Sequence, residues 1–216
     1  MKIIPREARK ITYSTEIRNL KKRLFLSDAQ KAFVVGTILG DANLDLNWSK
    51  TNYRLRFSHS VKQEDYVMWK YQNLKEWILT KPRYYAKTRS YFFNTISHSD
   101  ITSLAGLFLK NGKKIIPDSI SDFLQNPITL AVWFMDDGNA RVDKNRFDGY
   151  HINSQSFTLE ENQLLVNALY KNFGVFCRIH KNHGKHRLYI GVKANVEKFK
   201  KIIQSLVISS LQYKLG

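Results

Sequence analysis

Two aspartates stand where a helix least accommodates them. Asp41 follows an apolar run from Phe33 to Leu39, and Asp137 follows a second from Ile128 to Met135. A carboxylate at a helix C-terminus faces the negative pole of the helix dipole, which disfavours it by roughly 0.3–1 kcal/mol. The arrangement occurs twice, at positions 96 residues apart, and so asks for a compensating cation. Gly36 and Gly40, four residues apart on one helix face, let a second helix approach closely. If the two apolar helices pack side by side, Asp41 and Asp137 meet at their lower ends. Adjacent carboxylates repel unless one is protonated or a metal lies between them. Mg²⁺ suits such a site, because it is usually held by one or two carboxylates, waters and phosphate oxygens. There it can polarise a phosphodiester, activate a water and stabilise the departing oxygen. The bland alternative, two unrelated helix-end aspartates facing solvent, accounts poorly for the paired placement.

The elements that must hold these acids are legible from their start signals. Ser27-Asp28-Ala29-Gln30 reads as a capping box ahead of the first helix. Asn126-Pro127 reads as an N-cap followed by proline in the first turn of the second. Gly138 falls where a left-handed helix cap is expected. After the first helix the pattern predicts a strand (Tyr53–Ser60), a helix (Gln63–Leu79), a basic hairpin (Arg83–Ser97) and a helix (Ile101–Lys110) ending at Asn111-Gly112. After the second it predicts a strand (Tyr150–Phe157), a helix (Glu160–Phe173), a hairpin (Val175–Val192) and a helix (Val196–Val207). Ser58-His59-Ser60 and Ser154-Gln155-Ser156 repeat at the same 96-residue offset as the acids.

The chain therefore reads as an αββαββα unit used twice. The expected fold is α/β (α+β), with two pseudo-symmetric halves, a saddle of antiparallel β-ribbons and two motif helices packed at the interface. The expected organisation is a basic N-terminal extension (1–26), an N-terminal half (27–125) and a C-terminal half (126–216). Side chains alternate along a strand. Arg54, Arg56 and Ser58 should therefore share a polar face, with Tyr53, Leu55 and Phe57 opposite. In the hairpin, Lys87 and Arg89 should face one way while Phe92 and Ile96 serve the core.

Charge names the class of partner. With 35 Lys+Arg against 18 Asp+Glu, the net charge is +17 over 216 residues. That excess runs through the whole chain, which suits a long polyanion track such as duplex nucleic acid. A β-ribbon fits the major groove. Cys177 is the only cysteine, excluding internal disulfides and thiolate zinc sites. No apolar run approaches the ~18 residues of a membrane span, so no membrane partner is expected. The N-terminus lacks a secretory leader's apolar core.

The residues around the acids carry a family resemblance. Val34-Val35-Gly36-Thr37-Ile38-Leu39-Gly40-Asp41-Ala42 and Leu130-Ala131-Val132-Trp133-Phe134-Met135-Asp136-Asp137-Gly138 look like two copies of one motif. The pattern extends through His59-Ser60 with Gln63 and Tyr66, Asn111-Gly112-Lys113-Lys114, Ser154-Gln155-Ser156-Phe157-Thr158 and Tyr213-Lys214-Leu215. Together they resemble the LAGLIDADG homing endonucleases, in the single-chain, intron-encoded subgroup that includes the mitochondrial omega-intron endonuclease. Ala42 departs from the usual glycine.

The resemblance implies a site-specific double-strand DNA endonuclease that cuts across the minor groove of a long target and leaves 3′ overhangs. It implies Asp41 and Asp137 as metal ligands, with Asp136 either packing between the helices or supporting the ligands from behind. It implies Lys114 and Lys214 beside the reacting water, where an ammonium stabilises developing negative charge. Mg²⁺ is the expected cofactor, with Mn²⁺ substituting and Ca²⁺ binding without supporting cleavage. The expected DNA contacts in the first half are Arg54, Arg56, His59, Arg83, Lys87, Arg89 and Tyr91. In the second half they are Arg141, Lys144, Arg146, Asn153, Gln155, Arg178, His180 and Lys193.

A monomer is expected, since one chain carries both halves. The rival readings are an RNA maturase acting on intron RNA and a DNA-binding relative that has lost cleavage. Residue types with A+T-rich codons point to an organelle, or to a microbe with an A+T-rich genome. His180, His183 and His186 read as a hairpin tip and not a metal site. Trp69, Tyr71 and Trp77 read as core, and Cys177 as a buried apolar residue.

Overall fold

The computed structural model describes residues 15–144 and 146–216, and the backbone alone at Asp143. Residues 1–14 of the N-terminal extension lie outside the described residues. The chain packs as two units: one holds residues up to Gln30 together with Ala42–Ala105, the other Lys31–Asp41 together with Gly106–Gly216. Packing thus groups residues 31–41 and 106–125, which the sequence assigns to the first half, with the second.

The first repeat is α2 (Asp28–Leu39), β1 (Asn43–Leu46), β2 (Tyr53–Ser60), α3 (Glu64–Asn73), β3 (Arg83–Tyr85), β4 (Ser90–Asn94) and α4 (Ser99–Phe108), preceded by a short α1 (Thr15–Arg23). The second is α6 (Pro127–Asp137), β7 (Gly138–Asp143), β8 (Arg146–Ile152), α7 (Leu159–Phe173), β9 (Arg178–Asn182), β10 (Lys185–Ile190) and α8 (Lys193–Ile203). Between them lie a hairpin of β5 (Leu109–Lys110) and β6 (Lys113–Lys114) and a short α5 (Ile120–Phe123). Sheet orders are β1-β2-β4-β3 and β7-β8-β10-β9, the same topology twice, every pair antiparallel. The αββαββα repeat is present in both halves.

Local chemistry sets the helix starts. The Ser27 and Gln30 side chains exchange hydrogen bonds with each other's backbone N–H at 3.2 Å, closing the capping box. Asn126 accepts from the Ile128 N–H at 2.9 Å, with Pro127 in the first turn. Ala32–Leu39 and Thr129–Met135 are buried without a break. A helix apolar all round lies inside the fold. In the second unit Phe134 meets Tyr150 and Phe199 edge-on at 5.5 and 5.2 Å, the Tyr150 and Phe199 rings are tilted 5.3 Å apart, and Tyr150 donates its hydroxyl to Leu215 O at 2.9 Å.

Three local expectations are corrected. Gly138 is extended (φ −84°, ψ 153°), because α6 runs directly into β7 with no left-handed cap between. Asn111-Gly112 ends no helix. Both residues have positive φ, 52° and 74°, and turn the β5–β6 hairpin in the way Asn-Gly serves a two-residue hairpin loop. In β4 the core residue is Phe93, 3% exposed, while Phe92 is only half-buried.

Candidate active site and nucleic-acid interface

Helices α2 and α6 lie side by side in the second unit with little between them. Thr129 Oγ1 donates to Ala32 O at 3.1 Å near the helix starts. A Cβ on Gly36 would come within 2.7 Å of Thr129 O and Val132 Cβ; one on Gly40 would come within 2.5 Å of Asp136. Ala32 with Thr129, Gly36 with Val132 and Gly40 with Asp136 pair in the same order along both helices, so the helices run parallel and end together. Parallel dipoles bring two negative poles to the same place. Glycine at both contact points allows the approach, since any side chain would hold the backbones apart.

The acids gather at that end. The Asp41 N–H donates to Asp136 Oδ2 at 3.1 Å, and carboxylate oxygens of Asp41 and Asp136 lie within 4.8 Å of each other. The carboxyl of Asp137 is pushed up to about 7 by burial, then by the charges of Asp41 and Asp136, with Lys114 partly offsetting them. Two ammonium groups answer the helix poles. Lys114 Nζ donates to Gly40 O at 2.5 Å, at the end of α2. Lys214 Nζ donates to Met135 O at 2.6 Å and Asp136 O at 3.2 Å, at the end of α6, with only 9% of the residue exposed. Each repeat's lysine thus caps its own motif helix.

Once Asp137 is ionised, above about pH 7, two lysines against three carboxylates leave a negative excess held on hard oxygen donors. That donor set fits a Mg²⁺-type cation. Asp136 sits against the neighbouring helix, with its carboxylate on the Asp41 N–H.

The sheets present polar faces opposite the core. In β2, Leu55 and Phe57 are buried and Arg56 and Ser58 exposed, with Arg54 half-buried. Arg56 Nη1 lies 3.3 Å from Asp45 Oδ2. His59 departs from its expected place: alternation puts it on the Leu55–Phe57 face, 5% exposed, with its Nε2 3.1 Å from Lys70 Nζ. Lys70 is itself fully buried, its ammonium over the rings of Tyr66 and Phe57. Arg83 is half-buried in β3. Lys87 and Arg89 are not strand residues. They stand exposed at the hairpin tip, where residues 86–88 make a single helical turn and Arg89 has φ 49°. Tyr91 is half-buried, its ring 5.5 Å from that of Tyr84, and its phenol is pushed up by a hydrogen bond with Glu64.

In the second half Arg141 and His180 lie on the polar face of the sheet, and Arg178 is exposed in β9. Lys144 (φ 46°) and Arg146 are exposed near the β7–β8 turn. Asn153 is tied down, its Nδ2 donating to Asp137 O at 2.8 Å and Asn139 Oδ1 at 3.0 Å. Gln155 Nε2 donates to Asn153 Oδ1 at 3.4 Å. Lys193 opens α8 rather than the sheet, 4.0 Å from Glu197.

Strand alternation also marks residues that the expected set omits. Arg187 and Tyr189 alternate with Leu188 and Ile190, and His151 faces Tyr189 across the ladder, Tyr189 and His151 being largely covered at 9% and 4% exposed. The Tyr189 ring stacks on His180 at 4.2 Å and lies 5.3 Å from His151. His151 is driven down to about 4 by burial and by Arg187, His180 and Arg141, so its ring is neutral among cations. The tip of this hairpin is His183-Gly184, both with positive φ, as the turn residues predict. Cys177 is buried and its thiol is pushed up to about 12 by that burial.

Comparison with known proteins supplies the family. Residues 31–199 match the family described as LAGLIDADG DNA endonuclease. A probable intron-encoded endonuclease 1 of Wickerhamomyces canadensis is 29% identical over 212 residues, covering 92% of this chain and 89% of that protein. A cytochrome b mRNA maturase bI2 of Debaryomyces hansenii is 25% identical, covering 84% of this chain and 71% of that one. Among solved structures, the homing endonuclease I-WcaI bound to its DNA recognition sequence matches with a TM-score of 0.84 and 26% identity, over 94% of this chain and 93% of that one. The paired acids on parallel helices, the twice-used topology and a family match across most of the sequence agree: the chain belongs to the LAGLIDADG DNA endonuclease family.

Proposed function

We propose that the protein is a site-specific homing endonuclease that hydrolyses both strands of a long DNA duplex with the help of a divalent cation. The observation that carries this reading is the convergence of acids at the joint carbonyl end of α2 and α6, in a protein of net charge +17. Asp41 and Asp137 hold the cation, which when bound supplies charge for the scissile phosphate and acidity for the attacking water. Asp136 keeps the Asp41 backbone in place through its hydrogen bond. Lys114 and Lys214, fixed on helix carbonyls, hold positive charge where negative charge develops on the phosphate.

The basic sheet faces bind the duplex in its major groove and leave the acids toward the minor groove, where staggered cuts give 3′ overhangs. Repeats 27–125 and 126–216 each serve one half of the target, and the protein works as a monomer. Mg²⁺ is the working ion, Mn²⁺ replaces it, and Ca²⁺ permits binding alone. An organelle genome is the proposed setting. The second reading, an RNA maturase, is favoured by the likeness to the Debaryomyces hansenii protein.

The test is incubation with plasmid carrying sequence from the intron-less form of the gene's own insertion point, with Mg²⁺ and then with EDTA. Metal-dependent linearisation that disappears in Asp41→Asn and Asp137→Asn supports the endonuclease. Tight intron-RNA binding without cleavage of any DNA overturns it.

A further inference from the structure

The polar face of the second sheet contains an acid that strand alternation would not put there. In β8, Tyr150 and Ile152 face the core, so regular alternation assigns Asp148 to the core side as well. The ladder shifts register: Arg141 pairs with Gly149 and Val142 with Phe147, leaving Asp148 as the extra residue of a β-bulge. A bulge re-aims a side chain. This one depends on Gly149, whose φ is +138° and whose position leaves no room for a Cβ against Ile190 O.

The re-aimed carboxylate meets two partners from other strands. Arg141 Nη1 donates to Asp148 Oδ2. The Tyr189 hydroxyl donates to the same Oδ2 at 2.7 Å and lies 3.1 Å from Asp148 O. The Arg141 guanidinium carbon stands 5.0 Å from the centre of the Tyr189 ring, and that ring is itself stacked on His180. β7, β8 and β10 thus each contribute one member of a clamp, and β9 backs it.

A carboxylate on a surface built to meet DNA opposes phosphate binding, so its presence needs a gain of another kind. A free arginine side chain loses considerable rotamer entropy on binding, whereas one held in a fixed plane arrives with that cost already met. A planar, pre-oriented guanidinium is the group that reads guanine through its O6 and N7 acceptors in the major groove. We propose that Arg141 reads a guanine at one position of the target, with Asp148 and Tyr189 as the residues that position it. The inference rests on the proposed function, since it assigns base preference to the surface which that reading places on DNA.

A duplex library with a randomised segment is first enriched for binding to the wild-type protein. The selected site and all its single-base-pair variants are then measured with wild type, Arg141→Ala, Asp148→Asn and Tyr189→Phe. All three substitutions should flatten discrimination at the same position, by about tenfold or more, while other positions keep theirs. An Asp148→Asn profile that shifts every sequence by one common factor overturns the inference, because the acid then acts only as a charge. So do three profiles that relax at different positions, or at none. Should Asp148→Asn fail to fold, Tyr189→Phe decides alone, since it deletes one hydroxyl and keeps the ring. A wild-type protein that enriches no sequence overturns the endonuclease reading, whereas an enriched site with unaltered variant profiles overturns only the clamp.

Discussion

Asp137 makes the metal-free protein less stable than its sequence needs to be, and replacing it by asparagine should reveal by how much. Its carboxyl is raised from 3.8 to about 7, through burial first and then the charges of Asp41 and Asp136. The sign follows from proton counting. Below about pH 4 the group is protonated in both folded and unfolded chains, and the shift costs nothing. Between about pH 4 and 7 the folded protein keeps a proton that the unfolded chain releases, so stability falls as pH rises. Above about pH 7 the charge is present in both states and the full penalty stands.

A shift of about three units corresponds to an upper bound of about 4 kcal/mol, at 1.36 kcal/mol per unit. Solvent at the half-buried site screens it, so a gain of about 1–3 kcal/mol is expected for Asp137→Asn near pH 8 in EDTA. For a chain of this size that is a rise in Tm of roughly 3–10 °C. Near pH 5 most of the penalty has yet to appear, and the gap between variant and wild type should shrink to about a third. Added Mg²⁺ should raise the Tm of the wild type by mass action and leave the variant nearly unmoved. Differential scanning calorimetry at the two pH values, with EDTA and with Mg²⁺, reads all of this. An Asp137→Asn protein no more stable than wild type near pH 8, or a gap that ignores pH, would refute the reasoning.

Three further outcomes test other contacts. Gly40→Ala forces a methyl against Asp136 at 2.5 Å; overpacking of that kind should cost about 1–3 kcal/mol in urea unfolding, and a neutral result would mean that the helices are not so close. Lys214→Met removes the ammonium from Met135 O and Asp136 O. Cleavage should fall by about 10²–10³ with target affinity nearly unchanged, whereas a parallel loss of affinity would make Lys214 a phosphate contact. His151 is driven from 6.5 to about 4, by burial ahead of its cationic neighbours. Its contribution is present above the unfolded value of about 6.5 and is lost as pH falls toward 4. His151→Gln should therefore flatten the acid limb of the stability curve, and an unchanged limb would count against a buried neutral ring.

What the sequence showed and what it hid follow one physical distinction. Helix starts were legible because caps are local: Ser27 with Gln30 and Asn126 with Pro127 need no partner beyond four residues. The repeat was legible because topology recurs at a fixed offset. His59 was within reach too, since counting by twos from Leu55 puts it on the buried side of β2; its grouping with the DNA contacts followed the motif and not the alternation. Asn111-Gly112 fits both a helix end and a hairpin, and strands of two residues gave too little pattern to choose.

Other features depend on contacts that no local rule contains. Neither Asp136 nor Asp137 announces which of them docks on the neighbouring helix, because that is decided by the parallel packing at Gly36 and Gly40. Asp148 was hidden by a register shift, for which the sequence trace is a glycine inside the strand, at Gly149. The acids themselves were the easiest to find, because they break a local preference. A helix that ends on an aspartate gives up dipole energy, and two that do so side by side give it up at one spot. Sequences keep such a conflict where something from outside the chain resolves it, and so the least favourable residues at the ends of α2 and α6 mark the proposed site better than the most favourable ones do.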